Sequence, residues 1–150
     1  MEIRNIKIGT DEFLNICDYV EKNINRENLS ANGGTLNYSN LTYSSDILFI
    51  AFDNNTPVGY NSVVKCDGGY YIYQIAVKKE YQGQGIGTDM LKEIVKIADE
   101  EGVFITAHVM NYNTASQKMF KSLGFIKLSE KKGNGFYARV QKVNDIKYGK

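Results

Sequence analysis

The apolar positions divide the chain into short alternating runs and two helical stripes. Ile3, Ile6 and Ile8 alternate with polar residues and predict a first strand over Glu2–Ile8. Thr10 stands before Asp11 and Glu12, the pattern of an N-cap followed by acids in the first turn. Phe13, Ile16, Cys17, Val20 and Ile24 then recur at helical spacing and predict an amphipathic helix over 11–24. From Asn25 to Ser45 the period is lost. That stretch is rich in Asn, Ser, Thr and Gly, with Gly33-Gly34 at its centre and Leu29, Leu36, Tyr38, Leu41 and Tyr43 scattered through it. It predicts a long loop that can hold a short helix.

Three apolar runs follow: Ile47–Phe52, Val58–Lys65 and Tyr70–Val77. They are separated by Asp53-Asn54-Asn55-Thr56-Pro57 and Asp67-Gly68-Gly69, both rich in turn formers, and predict an antiparallel meander. Over 86–101, Ile86, Met90, Leu91, Ile94, Val95, Ile97 and Ala98 make one broad face, with Asp89, Lys92, Glu93, Lys96 and Glu100 opposite, and Gly102 stops the helix. Val103–Val109 reads as a strand. A short helix follows over 114–122, ended by Gly124, and strands Phe125–Leu128 and Phe136–Val143 flank a tight turn at Gly133-Asn134-Gly135. The remainder is a polar tail. The strand, glycine loop, helix and strand of 70–109 form a βαβ crossover, so strands 70–77 and 103–109 should lie side by side and parallel. The expected fold class is mixed α+β. It comprises one domain over 1–150 with a mixed sheet covered by helices on both faces.

Composition narrows the function. Apolar residues are 43% and charged residues 23% of 150, ordinary for one globular domain. A net charge of +1 gives no global pull towards nucleic acid or an acidic membrane. No apolar run reaches membrane-spanning length, and Met1-Glu2-Ile3-Arg4-Asn5 lacks the form of a signal peptide, so the cytoplasm is the expected location. Cys17 and Cys66, far apart in such a chain, are expected to be reduced thiols. With a single histidine they cannot complete a metal site, and none is expected.

The candidate chemistry lies at Gln82-Gly83-Gln84-Gly85-Ile86-Gly87-Thr88. An apolar strand enters this loop and a helix leaves it. Glycines let a ligand approach the main chain, and a helix start presents unpaired N–H groups, so the stretch suits a phosphate or pyrophosphate. A P-loop would need Lys before the Thr, and a dinucleotide fingerprint would need a glycine three residues after the second one. Gly83, Gly85 and Gly87 are spaced by two, and both readings fail.

Gln82-x-x-Gly85-x-Gly87 resembles the Q/R-x-x-G-x-G/A signature of the GCN5-related N-acetyltransferases (GNAT). Ile75-Ala76-Val77-Lys78-Lys79-Glu80-Tyr81 resembles that family's approach to the loop. Asn113-x-x-Ser116-x-x-x-Phe120-x-x-x-Gly124-Phe125 resembles its later N-x-x-A-x-x-x-Y-x-x-x-G-F segment. The match is strongest over 70–126, and the order of elements extends it to nearly the whole chain. The resemblance implies the acyl-CoA N-acyltransferase fold, a mostly antiparallel sheet with a central, splayed parallel pair of strands. It also implies an acetyl-CoA-dependent N-acetyltransferase acting on a primary amine of a small molecule, amino acid or peptide. The alternative is a non-catalytic acyl-CoA-binding module. Many relatives dimerise through sheet edges or C-terminal strands; the sequence leaves the oligomeric state open, with a homodimer among the options.

The same resemblance assigns residues. The main chain of Ile75, Ala76 and Val77 would bond the pantetheine arm and polarise the thioester carbonyl. Residues Gln82 to Thr88 would hold the pyrophosphate, with Asn113, Ser116 and Phe120 as further cofactor contacts. His108 would serve as base, since a neutral imidazole suits proton abstraction, with Tyr71 on the partner strand working beside it. Asn113 would join them in catalysis as well as capping its helix. Gln74 lies where some relatives carry a carboxylate and cannot act as a base. Phe120 stands where many relatives place a tyrosine that protonates the thiolate. Tyr112, Tyr73 or Tyr137, a water held by Asn113, or unassisted departure of the thiolate would have to serve instead. Tyr38, Tyr43, Tyr73, Gln74 and Tyr137 are the expected contacts of the acceptor amine.

Overall fold

The computed structural model describes residues 1–25 and 41–140. Strand β1 is Glu2–Ile6, helix α1 Asp11–Val20 and the four-residue helix α2 Leu41–Ser44. Strands β2 (Ile47–Asp53), β3 (Thr56–Cys66) and β4 (Gly69–Val77) form the meander. Helix α3 is Ile86–Glu101, strand β5 Phe104–Met110, helix α4 Thr114–Ser122, and strands β6 and β7 are Ile126–Lys131 and Asn134–Arg139. The strands make one mixed sheet in the order β1-β2-β3-β4-β5-β7-β6. β4 and β5 are parallel, with Gly69–Ile72 in register with Phe104–Ala107. A mixed, mostly antiparallel sheet with a central parallel pair is the arrangement that the motifs imply.

The packing resolves into two compact units. One holds Met1–Val64 and Tyr73–Leu91, the other Lys65–Ile72 and the described residues from Lys92 onward. Their boundaries cut through β3, β4 and α3.

In the first unit β1, β2 and β3 pair antiparallel in sequence. Alternation along β2 sends its side chains to opposite faces. Leu48, Ile50 and Phe52 join Phe13, Ile16, Cys17 and Val20 of α1 in one core cluster. Ala51 joins Val58 with Ile86 and Met90 of α3 in another. Both faces of this part of the sheet are therefore covered. Thr10 caps α1 as expected, its Oγ1 accepting from Phe13 N at 3.1 Å while donating to Lys7 O at 2.8 Å.

In the second unit β5 pairs β7, and β7 pairs β6, both antiparallel. Gly69 permits the close parallel contact. A Cβ there would lie 2.4 Å from the Phe104 carbonyl oxygen and 2.6 Å from its ring. Arg139 ties β7 to two helices. Its Nε donates to Leu123 O at 2.8 Å, and its Nη1 and Nη2 donate to the two carboxylate oxygens of Asp99 at 2.5 and 3.1 Å.

Several boundaries differ from the sequence reading, each for a physical reason. β1 ends at Ile6 rather than Ile8, because Gly9 turns the chain at a φ of 84°. The helix expected to reach residue 24 ends as α-helix at Val20 and continues as a π-helical turn, Glu21–Asn25, which still buries Ile24. The last hairpin turns at Lys132 and Gly133, both at positive φ, so Asn134 and Gly135 belong to β7. That strand ends at Arg139, and the part of its expected span beyond Val140 lies outside the described residues. β6 runs to Lys131 with every side chain exposed, so alternation could not mark its extent. A 3-10 turn at Lys79–Tyr81 was not foreseen.

Candidate active site

The glycine loop lies within the first unit. Lys78 N donates to Val58 O at 2.8 Å, so alternation points the N–H of Ala76 towards β3 as well and that of Ile75 to the opposite edge of β4. Of the residues expected to bond a pantetheine arm, Ile75 and, by the same alternation, Val77 therefore have the better-directed N–H groups. Gln82 Nε2 donates to Val77 O at 2.9 Å. Its side chain thus folds the loop back onto the end of β4.

Gly83 and Gly85 both adopt a φ of 82°, and a Cβ on either would meet nothing within 4 Å. The backbone conformation, not crowding, requires glycine there. Asp89 N donates to Gly85 O at 3.0 Å, which places Gly85 where a capping side chain would normally sit. Without one, helix geometry leaves the first N–H groups of α3 with no intrahelical acceptor. Ile86 is buried against Ala51, Val58 and Met90, so only its main chain faces outward, and Gly87 and Thr88 complete the first turn. This exposed, glycine-walled helix start fits a pyrophosphate.

An element that the sequence reading missed supports the loop. Tyr81 Oη donates to Asp53 Oδ2 at 2.6 Å and packs against the cluster that holds Ile86. The carboxylate pushes the phenol above its ordinary range. An aromatic residue just before the glycines was the available signal, but its partner is 28 positions away.

The second unit brings His108 and Tyr71 together. Tyr71 is in register with Thr106, which puts His108 two residues further along on the same face. The Tyr71 hydroxyl lies 2.9 Å from His108 Nδ1. Phe136, directly opposite His108 on β7, lies against the imidazole at 5.0 Å between ring centroids. Ile105, Ala107 and Val109 point into the core while His108 faces outward.

Other expected site residues have different surroundings. Asn113 is the N-cap of α4, its Oδ1 accepting from Ser116 N at 3.0 Å, so both residues serve the helix start. Phe120 is only 3% exposed and stacks edge-on against Phe125 at 4.9 Å. It is a core residue here. Tyr137 is 1% exposed, with its ring 6.4 Å from that of Phe120. It therefore forms no wall for an acceptor in this arrangement. On β7 the inward positions are 135 and 137, and the outward neighbour of His108 is Phe136. A one-residue step exchanges the faces of a strand, so Tyr137 and Phe136 lie on opposite faces of β7. Gln74 Oε1 accepts from the buried Tyr60 hydroxyl at 3.0 Å. Tyr73 packs partly buried against the α1 core cluster, Tyr43 is 89% exposed, and Tyr112 is also exposed. Tyr38 lies outside the described residues. No helix among the described residues is long and apolar enough to cross a membrane.

Comparison with known proteins places this geometry. The model of the acetyltransferase (GNAT) family matches residues 16–125. The thialysine N-epsilon-acetyltransferases of Bos taurus and Sus scrofa are each 34% identical over 64 residues, covering 42% of this chain. The match spans 38% of their length. Among solved structures, PH1933 from Pyrococcus horikoshii OT3 aligns with a TM-score of 0.73 and 23% identity, covering 95% of this chain and 100% of that one. The PaiA N-acetyltransferase of Thermoplasma acidophilum, solved in complex with coenzyme A, aligns with a TM-score of 0.73 and 14% identity, covering 93% and 99%. At these identities the structural likeness speaks for the fold.

Proposed function

The chain belongs to the acetyltransferase (GNAT) family, and from that premise we propose that it is an acetyl-CoA-dependent N-acetyltransferase that acts directly on a primary amine. The observation that carries this reading is the loop itself. Gly83 and Gly85 at positive φ lead into a helix start whose N-cap position is Gly85, a residue with no side chain to offer those N–H groups. Bound acetyl-CoA would supply the acetyl thioester. The main chain of Gly83 to Thr88 would hold its pyrophosphate, and Ile75 N–H would bond its pantetheine arm.

Acetyl transfer requires the acceptor to lose a proton, because an ammonium has no lone pair. With Nδ1–H donating to the Tyr71 oxygen, His108 Nε2 keeps the lone pair that takes that proton. Tyr71 then acts as a positioning residue that fixes the tautomer and the ring. Phe136 would give the acceptor an apolar surface beside the base. Phe120 offers no hydroxyl, so the thiolate leaves without its help, which a thiol pKa of roughly 8.5 tolerates.

The acceptor class is a primary amine of a small molecule, amino acid or peptide. The thialysine enzymes put an amino-acid side-chain amine first in the test panel. The test is thiol release from acetyl-CoA across small amines, lysine-like amino acids and peptide N-termini, with coenzyme A affinity compared against ATP and NAD. Release with one acceptor class supports the reading. Tight coenzyme A binding with no release across the panel would favour a binding module, the second reading, which rests on the missing hydroxyl at 120. Equal affinity for ATP or NAD would remove both.

A further inference from the structure

One buried polar group near the loop is incompletely hydrogen-bonded. Asn61 on β3 is 0% exposed, and among the described residues its Oδ1 is a buried oxygen with no hydrogen-bond partner. Its Nδ2 reaches Met90 O on α3 across a long 3.4 Å. A leucine, with the same branching of heavy atoms, would leave nothing unsatisfied, so Asn61 costs the fold stability that an apolar residue would not.

Two positions earlier on the same face of β3 lies Gly59, opposite Ala51. A Cβ at Gly59 would come within 3.0 Å of Met90 Cε, 3.3 Å of Ala76 O and 3.5 Å of Ile86 Cγ2. Ile86 opens α3, and Met90 lies one turn on. Ala76 is in the stretch of β4 that runs into the loop. Gly59 is thus the point where both arms of the loop, the strand that enters and the helix that leaves, rest on β3. Asn61 holds the next turn of the helix by its main chain.

From this we infer that Gly59 and Asn61 are positioning residues for the pyrophosphate-binding turn. Gly59 sets how closely the start of α3 approaches the sheet, and Asn61 fixes the helix along its axis through the Met90 carbonyl. Neither touches the cofactor, and both act through α3. The inference rests on the reading of the loop given above. It adds that the orphaned amide is retained for placement of the helix at the expense of stability.

The test uses the full chain, with calorimetric titration of coenzyme A and of pantetheine, which lacks the pyrophosphate. Asn61→Leu should raise the melting temperature. It should also weaken coenzyme A binding roughly tenfold, the scale expected when a binding group is displaced by a fraction of an ångström, and leave pantetheine binding unchanged. Opposite signs in stability and affinity cannot come from a merely structural role. Gly59→Ala, with folding checked by circular dichroism, should also weaken coenzyme A binding. If Asn61→Leu binds coenzyme A as the wild type does, or weakens both ligands alike, the inference is overturned. If the wild type fails to bind coenzyme A, the reading of the loop falls first and the inference with it.

Discussion

Two glycine-to-alanine changes should behave differently for reasons visible in the backbone. Gly85 sits at a φ of 82°, with nothing within 4 Å of the position a Cβ would occupy. Alanine there meets no clash, so its cost is the left-handed backbone alone, about 1–2 kcal/mol. At roughly 2–4 °C per kcal/mol for a chain of this size, the melting temperature should fall by about 2–8 °C. Asparagine visits the left-handed region more readily than alanine, so Gly85→Asn should fall less. Coenzyme A affinity should follow the same order. A loop that relaxes to negative φ turns a main-chain N–H away from the phosphate, and the loss of such a charge-assisted bond is worth roughly tenfold to a hundredfold. Gly69→Ala is a different perturbation. Its Cβ would lie 2.4 Å from the Phe104 carbonyl oxygen, a main-chain group that cannot swing aside. The parallel register of β4 and β5 must shift, and the loss of stability should exceed about 3 kcal/mol. Scanning calorimetry and coenzyme A titration on the three variants decide the matter. If Gly85→Asn is no better than Gly85→Ala, or if Gly69→Ala is the mildest of the three, the assignment of φ and crowding to these sites is wrong.

The remaining predictions concern the base, the thiols and the Arg139 anchor. His108→Ala should lower thiol release at pH 7 by roughly a hundredfold to ten-thousandfold with a responsive acceptor. Tyr71→Phe should cost less, because it removes only the 2.9 Å contact that orients the ring; an unchanged rate in His108→Ala would exclude it as the base. Cys66 is exposed and Cys17 buried, so an aromatic disulfide reagent should titrate one thiol in the native protein and the second only after unfolding. Burial raises the Cys17 thiol from its usual 9.0 to about 11, so the unfolded chain releases this proton first as pH rises. Its contribution is intact below pH 9 and declines from there to about 11, which urea midpoints at pH 8 and 10 will show as a fall. Arg139→Lys loses the two-pronged contact with Asp99 and should lower stability by about 1 kcal/mol, a modest value because Asp99 is partly exposed. An unchanged melting temperature would show that the fork adds nothing.

What the sequence reveals depends on how far the determining contacts reach. The cap at Thr10 and the span of α3 were readable because each follows from periodicity or from residues a few positions apart, and the parallel pairing of β4 with β5 because a strand–helix–strand order dictates it. The glycine loop was readable for the same reason: positive φ at 83 and 85 is written locally as Gly-x-Gly. The pairing of Tyr71 with His108 spans 37 positions and came from the family resemblance alone. The supports of the loop were not legible. Asp53 reaches Tyr81, and Gly59 reaches Ile86, only after β2, β3 and β4 have paired.

The inward position of Tyr137 was hidden in the sequence for a different reason. β6 has no buried position, and in β7 the inward positions are Gly135 and Tyr137 while the outward one between them is Phe136, so the apolar pattern of the sequence does not separate the two faces. The register comes from the turn at Lys132-Gly133, whose positive φ values set the hairpin two residues long. With that register Tyr137 fills the core against Phe120, and Phe136 takes the face beside His108. The absent hydroxyl at 120 therefore has a structural counterpart. Phe120 is 3% exposed, with the rings of Phe125 and Tyr137 beside it, and it serves as a core side chain. The departure from the family pattern thus belongs to the packing of the second unit. The proton chemistry of acetyl transfer, if it needs a protein acid at all, has to be sought among hydroxyls other than those two buried rings.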